Sequence, residues 1–350
     1  MATLTETAYY SRKIIKWSII GFVVFIFIRL IFIYIVDVIK NVLPPPPLRP
    51  NNYFGKLYKL NFPEVASPSG QLKFTLQTIE GKIPVASSAA RVYFMPKNRV
   101  NLLSLSKAQT FVGKLGFTST PHLIKDTVYR WIDTKNPLRL IELDTVSNHF
   151  TLEYAYAHDL TLFTERNVPT REQTMGEVIN FLQTSNLGIS DLNIAKPTFT
   201  YLKLEGDQLV VTTSQSQADA VRVDLFRNNL NGFRVLTDRP NEGLIEIILG
   251  SSKKSDKRIL YARNNYWPID IKTVGIYKLK TSTEAWEELQ SSQGYFASYT
   301  PNQTQFTITN ISLALYDSRE SQFFLQPVFV FEGENKFLAY VSAVAMPWTE

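Results

Sequence analysis

Apolar and polar positions follow two different patterns along this chain. Trp17 to Val36 reads WSIIGFVVFIFIRLIFIYIV, twenty residues that are apolar apart from Ser18, Gly21 and Arg29. No polar face recurs at the 3.6-residue helical period, so the run lacks the amphipathic pattern of a soluble surface helix. At about 1.5 Å per residue it predicts a helix roughly 30 Å long, the thickness of a bilayer's hydrocarbon core. A cleaved signal peptide has a shorter apolar stretch ending in small residues, whereas this one ends Ile35-Val36-Asp37-Val38-Ile39-Lys40. The expectation is an uncleaved transmembrane helix over 17–39, preceded by a cytoplasmic tail over 1–16.

Flanking side chains set its orientation. Arg12, Lys13 and Lys16 stand immediately before the apolar run, and the excess of positive charge predicts an N-terminus in the cytoplasm and a C-terminal region outside the cell membrane. Trp17 and Tyr34 fit the aromatic belts at the two interfaces, so these five residues are the expected interface anchors. Arg29 lies inside the run, where an arginine costs about 2.5–3.5 kcal/mol on insertion scales. Two readings stay open: the side chain snorkels to the outer headgroups, or it pairs with an acidic or polar group in another protein's transmembrane helix. Pro44 to Pro47, followed by Leu48-Arg49-Pro50, predict a stiff polyproline II spacer within a linker over 40–52.

From Tyr53 onward short β-rich runs alternate with a few helical stretches. The pattern predicts an extracytoplasmic α+β region of antiparallel sheets with a few short helices. Strands are expected at Phe74–Ile79, Ala90–Met95, Thr127–Asp133, Leu138–Asp144 and Phe150–Ala157, with a helix at Leu105–Leu115. A second helix begins at Thr170, which forms a capping-box pattern with Gln173. Beyond it, Glu205-Gly206-Asp207 joins two strands in a hairpin, and Asn231-Gly232 is the favoured type I′ turn pair. Leu244–Leu249 and Arg258–Ala262 are expected strands joined by a basic loop.

Thr281 and Glu284 cap a third helix that buries Ala285, Trp286 and Leu289. Phe306–Tyr316, Phe323–Phe331 and Lys336–Ala345 are the closing strands, with Pro327 implying an edge or a bulge in the second. The polar stretch His158 to Pro169 is the best boundary, dividing domains over 53–165 and 166–350.

Composition narrows the chemistry. The chain has 350 residues and no cysteine, which excludes disulfides, thiolate metal sites and cysteine nucleophiles. His122, His149 and His158 show no zinc-protease spacing. On a strand, His149 and Glu153 would share a face, but two candidate ligands without a third are a weak metal site. Ser104-Leu105-Ser106-Lys107 and Ser251-Ser252-Lys253-Lys254 match an S-x-x-K pattern without its companion motifs. In the first, a serine capping the following helix is the simpler reading. Neither a catalytic residue nor a cofactor is expected.

The net charge of +6 at first suggests an anionic partner. Residues 1–50 carry +4 of it, six basic against two acidic, which leaves +2 on residues 51–350. The basicity is mostly membrane topology, and no nucleic acid partner is expected.

The C-terminal fifth carries a resemblance. Val274-Gly-Ile-Tyr-Lys-Leu-Lys280 is followed by Glu284-Ala-Trp-Glu-Glu-Leu289, Gly294-Tyr295 and Ile311-Ser-Leu-Ala-Leu-Tyr316. Phe324-Leu-Gln-Pro-Val-Phe-Val-Phe-Glu-Gly333 and Phe337-Leu-Ala-Tyr-Val341 complete the order. It resembles the terminal part of YycH/YycI-type membrane-anchored regulatory proteins and the helix-plus-hairpin units of PepSY-like domains. The resemblance implies one N-terminal transmembrane helix, an extracytoplasmic α+β domain and modulation of a sensor kinase, with no catalytic residues. The expected function is therefore that of a non-enzymatic, single-pass regulatory or scaffolding protein. Its partners would be the lipid bilayer and another membrane protein such as a sensor kinase. An anchored cell-envelope hydrolase and a peptide- or glycan-binding module remain the alternatives.

Overall fold

The computed structural model describes residues 4–42, 48–63, 70–159, 161–164, 168–187 and 190–350. They fall into two compact units, Met1–Leu48 and Arg49–Glu350. The first is a continuous helix, α1 (Leu4–Val42). Its section Arg12–Val36 is long and apolar enough to cross a membrane, and none of its most apolar window is buried. The expected tail before Trp17 is helical from Leu4. Pro44–Pro47, read as a polyproline spacer, lie outside the described residues.

The second unit is mixed α+β and mostly antiparallel. Its chain begins with β1 (Lys73–Leu76), β2 (Ala89–Phe94) and α2 (Ser104–Lys114). A meander follows through β3 (His122–Lys125), β4 (Val128–Ile132), β5 (Arg139–Asp144) and β6 (Phe150–Tyr154). Next come α3 (Arg171–Thr184), β7 (Thr198–Glu205), β8 (Gln208–Thr212), β9 (Ala220–Leu225) and β10 (Arg234–Thr237). β11 (Ile245–Gly250), the one-turn α4 (Ser255–Arg258) and β12 (Ile259–Asn264) precede β13 (Asp270–Lys278) and α5 (Ser282–Gln290). The final strands are β14 (Tyr295–Ser298), β15 (Gln305–Asp317), β16 (Phe324–Gly333) and β17 (Leu338–Ser342).

The strands form two sheets. The larger has nine strands in the order β3-β4-β5-β6-β12-β11-β9-β7-β8, and α2 and α3 cover one of its faces. Ala108, Val112, Val178 and Leu182 pack there on Ile141, Leu152, Val223 and Ile247. The other sheet has eight strands and is centred on β15 and β16. It includes two parallel pairs, because β1 and β10 both run alongside β15.

No domain boundary falls at 158–169. β6, which precedes this stretch, pairs with β12, which follows it, from Phe150↔Asn264 to Glu153↔Tyr261. Its polarity marks a surface connection in which the Asp159 carboxylate accepts hydrogen bonds from Tyr154, Thr161 and Lys257. The two sheets are interleaved instead: after β1 and β2 the chain builds the nine-stranded sheet, crosses once to the eight-stranded sheet as β10, returns for β11 and β12, and then completes the eight-stranded sheet from β13 onward.

Local signals account for several elements. Thr170 with Gln173 and Thr281 with Glu284 form reciprocal capping boxes on α3 and α5. Asn231 and Gly232 both have positive φ, at 50° and 84°, and Leu230 and Phe233 exchange backbone hydrogen bonds across them. On α2 the expected serine cap is not formed: Leu103 occupies the cap position without a side-chain bond, and Asn101 makes a turn just before it. The Asn101 Oδ1 accepts from the Leu103 N–H at 2.9 Å, while the Ser104 hydroxyl accepts from the Asn101 N–H at 3.1 Å.

Pro327 is neither at a sheet edge nor in a bulge. β16 pairs with β15 along one side, and along the other it pairs first with β2 at 324–325 and then with β17 from Val328. The Pro327 carbonyl accepts from the Ala343 N–H on that second side. Its missing N–H therefore falls where one neighbouring strand stops and the next begins, so no ladder bond is lost.

Candidate functional site

The nine-stranded sheet leaves the face opposite α2 and α3 partly uncovered, and a cavity of about 570 Å³ lies there. Leu202, Ile248 and Leu260 form an apolar floor, with Tyr154, Tyr156, Leu209 and Val211 around it. A bulge opposite Ile248–Leu249 makes this possible. Tyr261 pairs with Ile248 and Ile259 with Leu249, so Leu260 is an extra residue and lines the cavity beside Tyr261.

Sheet register lays polar side chains in rows across this face. One row runs Arg222, Ile248, Tyr261, Glu153 over β9, β11, β12 and β6. The next runs Asp224, Glu246, Arg263, Thr151, Glu142, Arg130 over six strands. Most of its charges are neutralised in place. Arg222 Nε donates to Asp224 at 2.9 Å, Arg263 donates to Glu246 at 2.6 Å, and Arg130 Nε donates to Glu142 at 2.8 Å. Burial pushes the Asp224 and Glu246 carboxyls up, against the pull of Arg222 and Arg263.

Glu153, Asp207 and His158 on the rim have no hydrogen-bond or ion-pair partner among the described residues. An apolar floor with two free carboxylates above it can hold an apolar segment bearing a basic group.

The second row continues into a buried network where the two sheets meet. Arg263 donates to Glu242 at 2.9 Å, and the Arg319 guanidinium is ion-paired with the same carboxylate at 2.8 Å and with Asp238 at 3.4 Å. Burial works against the Glu242 charge, but these guanidinium groups hold its carboxyl at about 2. Arg227 donates to Asp317 at 2.5 Å, to Asp191 and to the Trp267 carbonyl, with its guanidinium 4.4 Å over the Tyr266 ring. Asp317 is fully buried, which pushes its carboxyl up while Arg227 pulls it down. Arg263 lies near the end of β12 and Asp317 ends β15, while Asp191, Arg227, Asp238, Glu242, Trp267 and Arg319 sit on the α3–β7, β9–β10, β10–β11, β12–β13 and β15–β16 connections, so the network joins the two sheets.

The membrane-anchor and intramembrane residues expected from sequence are not among those that line this cavity. Arg12, Lys13, Lys16, Trp17, Arg29 and Tyr34 are all exposed on α1. His149 does not meet Glu153: its ring packs on Trp267 with centroids 4.1 Å apart, and its Nε2 lies 3.2 Å from the Tyr266 carbonyl. Burial drives its imidazole down to about 4, although the Tyr266 carbonyl and Asp144 favour its charge. Among the described residues no cluster of three or more His, Asp or Glu could hold a metal ion. Half of the basic cluster on the β11–β12 connection is internal, since Lys257 pairs with Asp159 and Arg258 grips Glu177 through two nitrogens.

Sequence reasoning weighed Glu153 only as a metal ligand beside His149 and Asp207 only as a turn residue, and it missed Arg222 and Tyr261 altogether. The available signal was a charged residue in an otherwise apolar strand, as in Ala220-Val-Arg-Val-Asp-Leu225 and Ile245-Glu-Ile-Ile-Leu249.

Neither a protein-family model nor a curated protein sequence matches the chain. Among solved structures, an uncharacterized protein from Eubacterium rectale ATCC 33656 is similar at 13% identity and a TM-score of 0.39. The match covers 78% of this chain and 89% of that one. A likeness of that size assigns no activity.

Proposed function

We propose that this chain is a single-pass, membrane-anchored extracytoplasmic protein that regulates or scaffolds another membrane protein through direct contacts and performs no catalysis. The observation that carries the reading is the exposed apolar section Arg12–Val36 joined to a separately compact α+β unit. Exposed apolar surface of that length is stable only in lipid or against other transmembrane helices. The positive charge of Arg12, Lys13 and Lys16 supports an N-terminal end in the cytoplasm. In the outer unit, the cavity over the nine-stranded sheet receives an apolar, basic segment of the partner, with Glu153 and Asp207 as its counter-charges. The resemblance of residues 274–341 to YycH/YycI-type regulators favours a sensor kinase as that partner.

Crosslinking in intact membranes, followed by identification of the neighbours, tests the proposal. A sensor kinase should be recovered from wild type, and its yield should fall for Arg29→Leu and for Glu153→Ala/Asp207→Ala. Recovery of lipid and no protein would overturn the regulatory reading. Release of the chain by alkaline carbonate would overturn the anchor itself.

A further inference from the structure

A second cavity, of about 470 Å³, lies on the helix-covered side of the nine-stranded sheet. It is bounded by α2, the end of α3, the β5–β6 turn and the segment after β12, and no Asp or Glu lines it. That is unusual in a unit where acidic and basic groups are nearly balanced. We propose that this cavity binds a hydroxyl-rich chain bearing anionic groups, a polyol phosphate or an acidic oligosaccharide.

Three sets of groups support this chemistry. Lys107 and Lys114 stand seven positions apart on α2, hence about 10 Å apart along one helix face. Neither has an ion-pair partner among the described residues, whereas Lys257 and Arg258 are both neutralised. They supply two point charges at a spacing suited to successive anionic groups on an extended chain.

Asparagine supplies the second set. Asn98 and Asn264 donate to the Val146 and Asn148 carbonyls and are fixed in the wall. Asn148 and Asn186 are held in left-handed backbone, with φ of 61° and 47°, and their amides have no partner among the described residues. Each offers both a donor and an acceptor, the pairing that vicinal hydroxyls require.

Half-buried rings are the third. Phe111 lines the cavity beside Lys107 and Lys114, and Tyr266 is held from behind by the Arg227 guanidinium. Such rings give apolar faces for the C–H surfaces of a sugar or polyol. Asp144 lies beneath Ser147, but its oxygens already accept from Thr127, the Val146 N–H and the Ser147 hydroxyl.

Titration calorimetry on the full chain in detergent tests the assignment with three probes: a glycerol-phosphate hexamer, an oligogalacturonate hexamer and neutral maltohexaose. At least one anionic probe should bind, and binding should weaken on raising the salt from 50 to 300 mM. Binding by the phosphate probe alone, the carboxylate probe alone or both tells which anion the site accepts. Lys107→Ala/Lys114→Ala should weaken binding at least tenfold, while Lys253→Ala/Lys254→Ala leaves it unchanged. Asn186→Asp, which tolerates the same backbone and brings in negative charge, should also weaken it tenfold, with thermal unfolding confirming that each variant folds. Equal binding of maltohexaose, no binding of either anionic probe, or an unchanged affinity in the double lysine variant would overturn the proposal.

Discussion

The two sheets of the α+β unit are built on different principles. The nine-stranded sheet buries one face under helices, and its strands alternate accordingly: Arg139 to Asp144 alternates buried and half-buried positions throughout. The centre of the eight-stranded sheet is buried on both faces, and seven consecutive residues of β16, Leu325 to Phe331, are buried. α5 covers one side with Ala285, Trp286 and Leu289, while Leu60 and Phe62 pack against the other. The closed centre of that sheet presents only apolar packing to its covering layers. The half-open sheet carries both cavities, which teaches that binding follows the incomplete layer and rigidity the complete one.

The sharpest way to break this comparison is to cut the joint between the sheets. Arg227→Met leaves Asp317 buried without its counter-charge and should cost about 3–5 kcal/mol in urea unfolding. Because the pairing of β10 with β15 and the Arg263 and Arg319 ion pairs to Glu242 still join the sheets, circular dichroism and tryptophan fluorescence should report one coincident transition. Two separated transitions would show that the sheets fold independently.

A pH titration isolates the nine-stranded side. His149 sits at about 4 in the folded chain against about 6.5 when unfolded. The unfolded state therefore binds more protons between these values, and stability falls as pH drops from 6.5 to 4, by about 3 kcal/mol in all. His149→Phe should flatten that slope. Glu242, held at about 2 by Arg263 and Arg319, contributes stability that is present above 4.5 and lost as pH falls towards 2, a separate window. A slope between pH 6.5 and 4 that survives in His149→Phe would locate the titration elsewhere.

Smaller effects test whether the difference lies in packing alone. Both Thr170→Ala on α3 and Thr281→Ala on α5 remove one capping box and should each cost about 1 kcal/mol, since both caps are exposed. Markedly unequal thermal shifts would show that the layers differ in local helix stability as well as in burial. Arg130→Ala, in the half-exposed end of the charged row, should cost only about 0.2–1 kcal/mol.

Features dictated by neighbouring residues were legible in the sequence. The apolar run of α1, both capping boxes and the Asn231-Gly232 turn each follow from side chains within a few positions of one another. β3 was missed because all four of its residues are exposed, leaving no alternation to read. β13 was missed because its ladder is broken between Asp270 and Val274, which scrambles the period. The interleaved topology and the joint were not legible at all, since Arg227 and Asp317 stand 90 positions apart and neither is unusual by itself. The cavities share that origin: Glu153, Asp207 and Tyr261 come from three separate hairpins.

The parallel pairing of β1 with β15 bears on how the chain matures. Phe74 lies beside Phe306, about 230 residues later in synthesis. The first strand of the α+β unit to leave the ribosome is thus among the last to find its neighbour, and its aromatic face waits for most of translation. The nine-stranded sheet needs no partner from outside residues 122–264 for its own ladders, so it can assemble during that wait. A slow final step, closure of the eight-stranded sheet, follows from so distant a contact. A chaperone that shields nascent β-strands would have its longest dwell on residues 73–94.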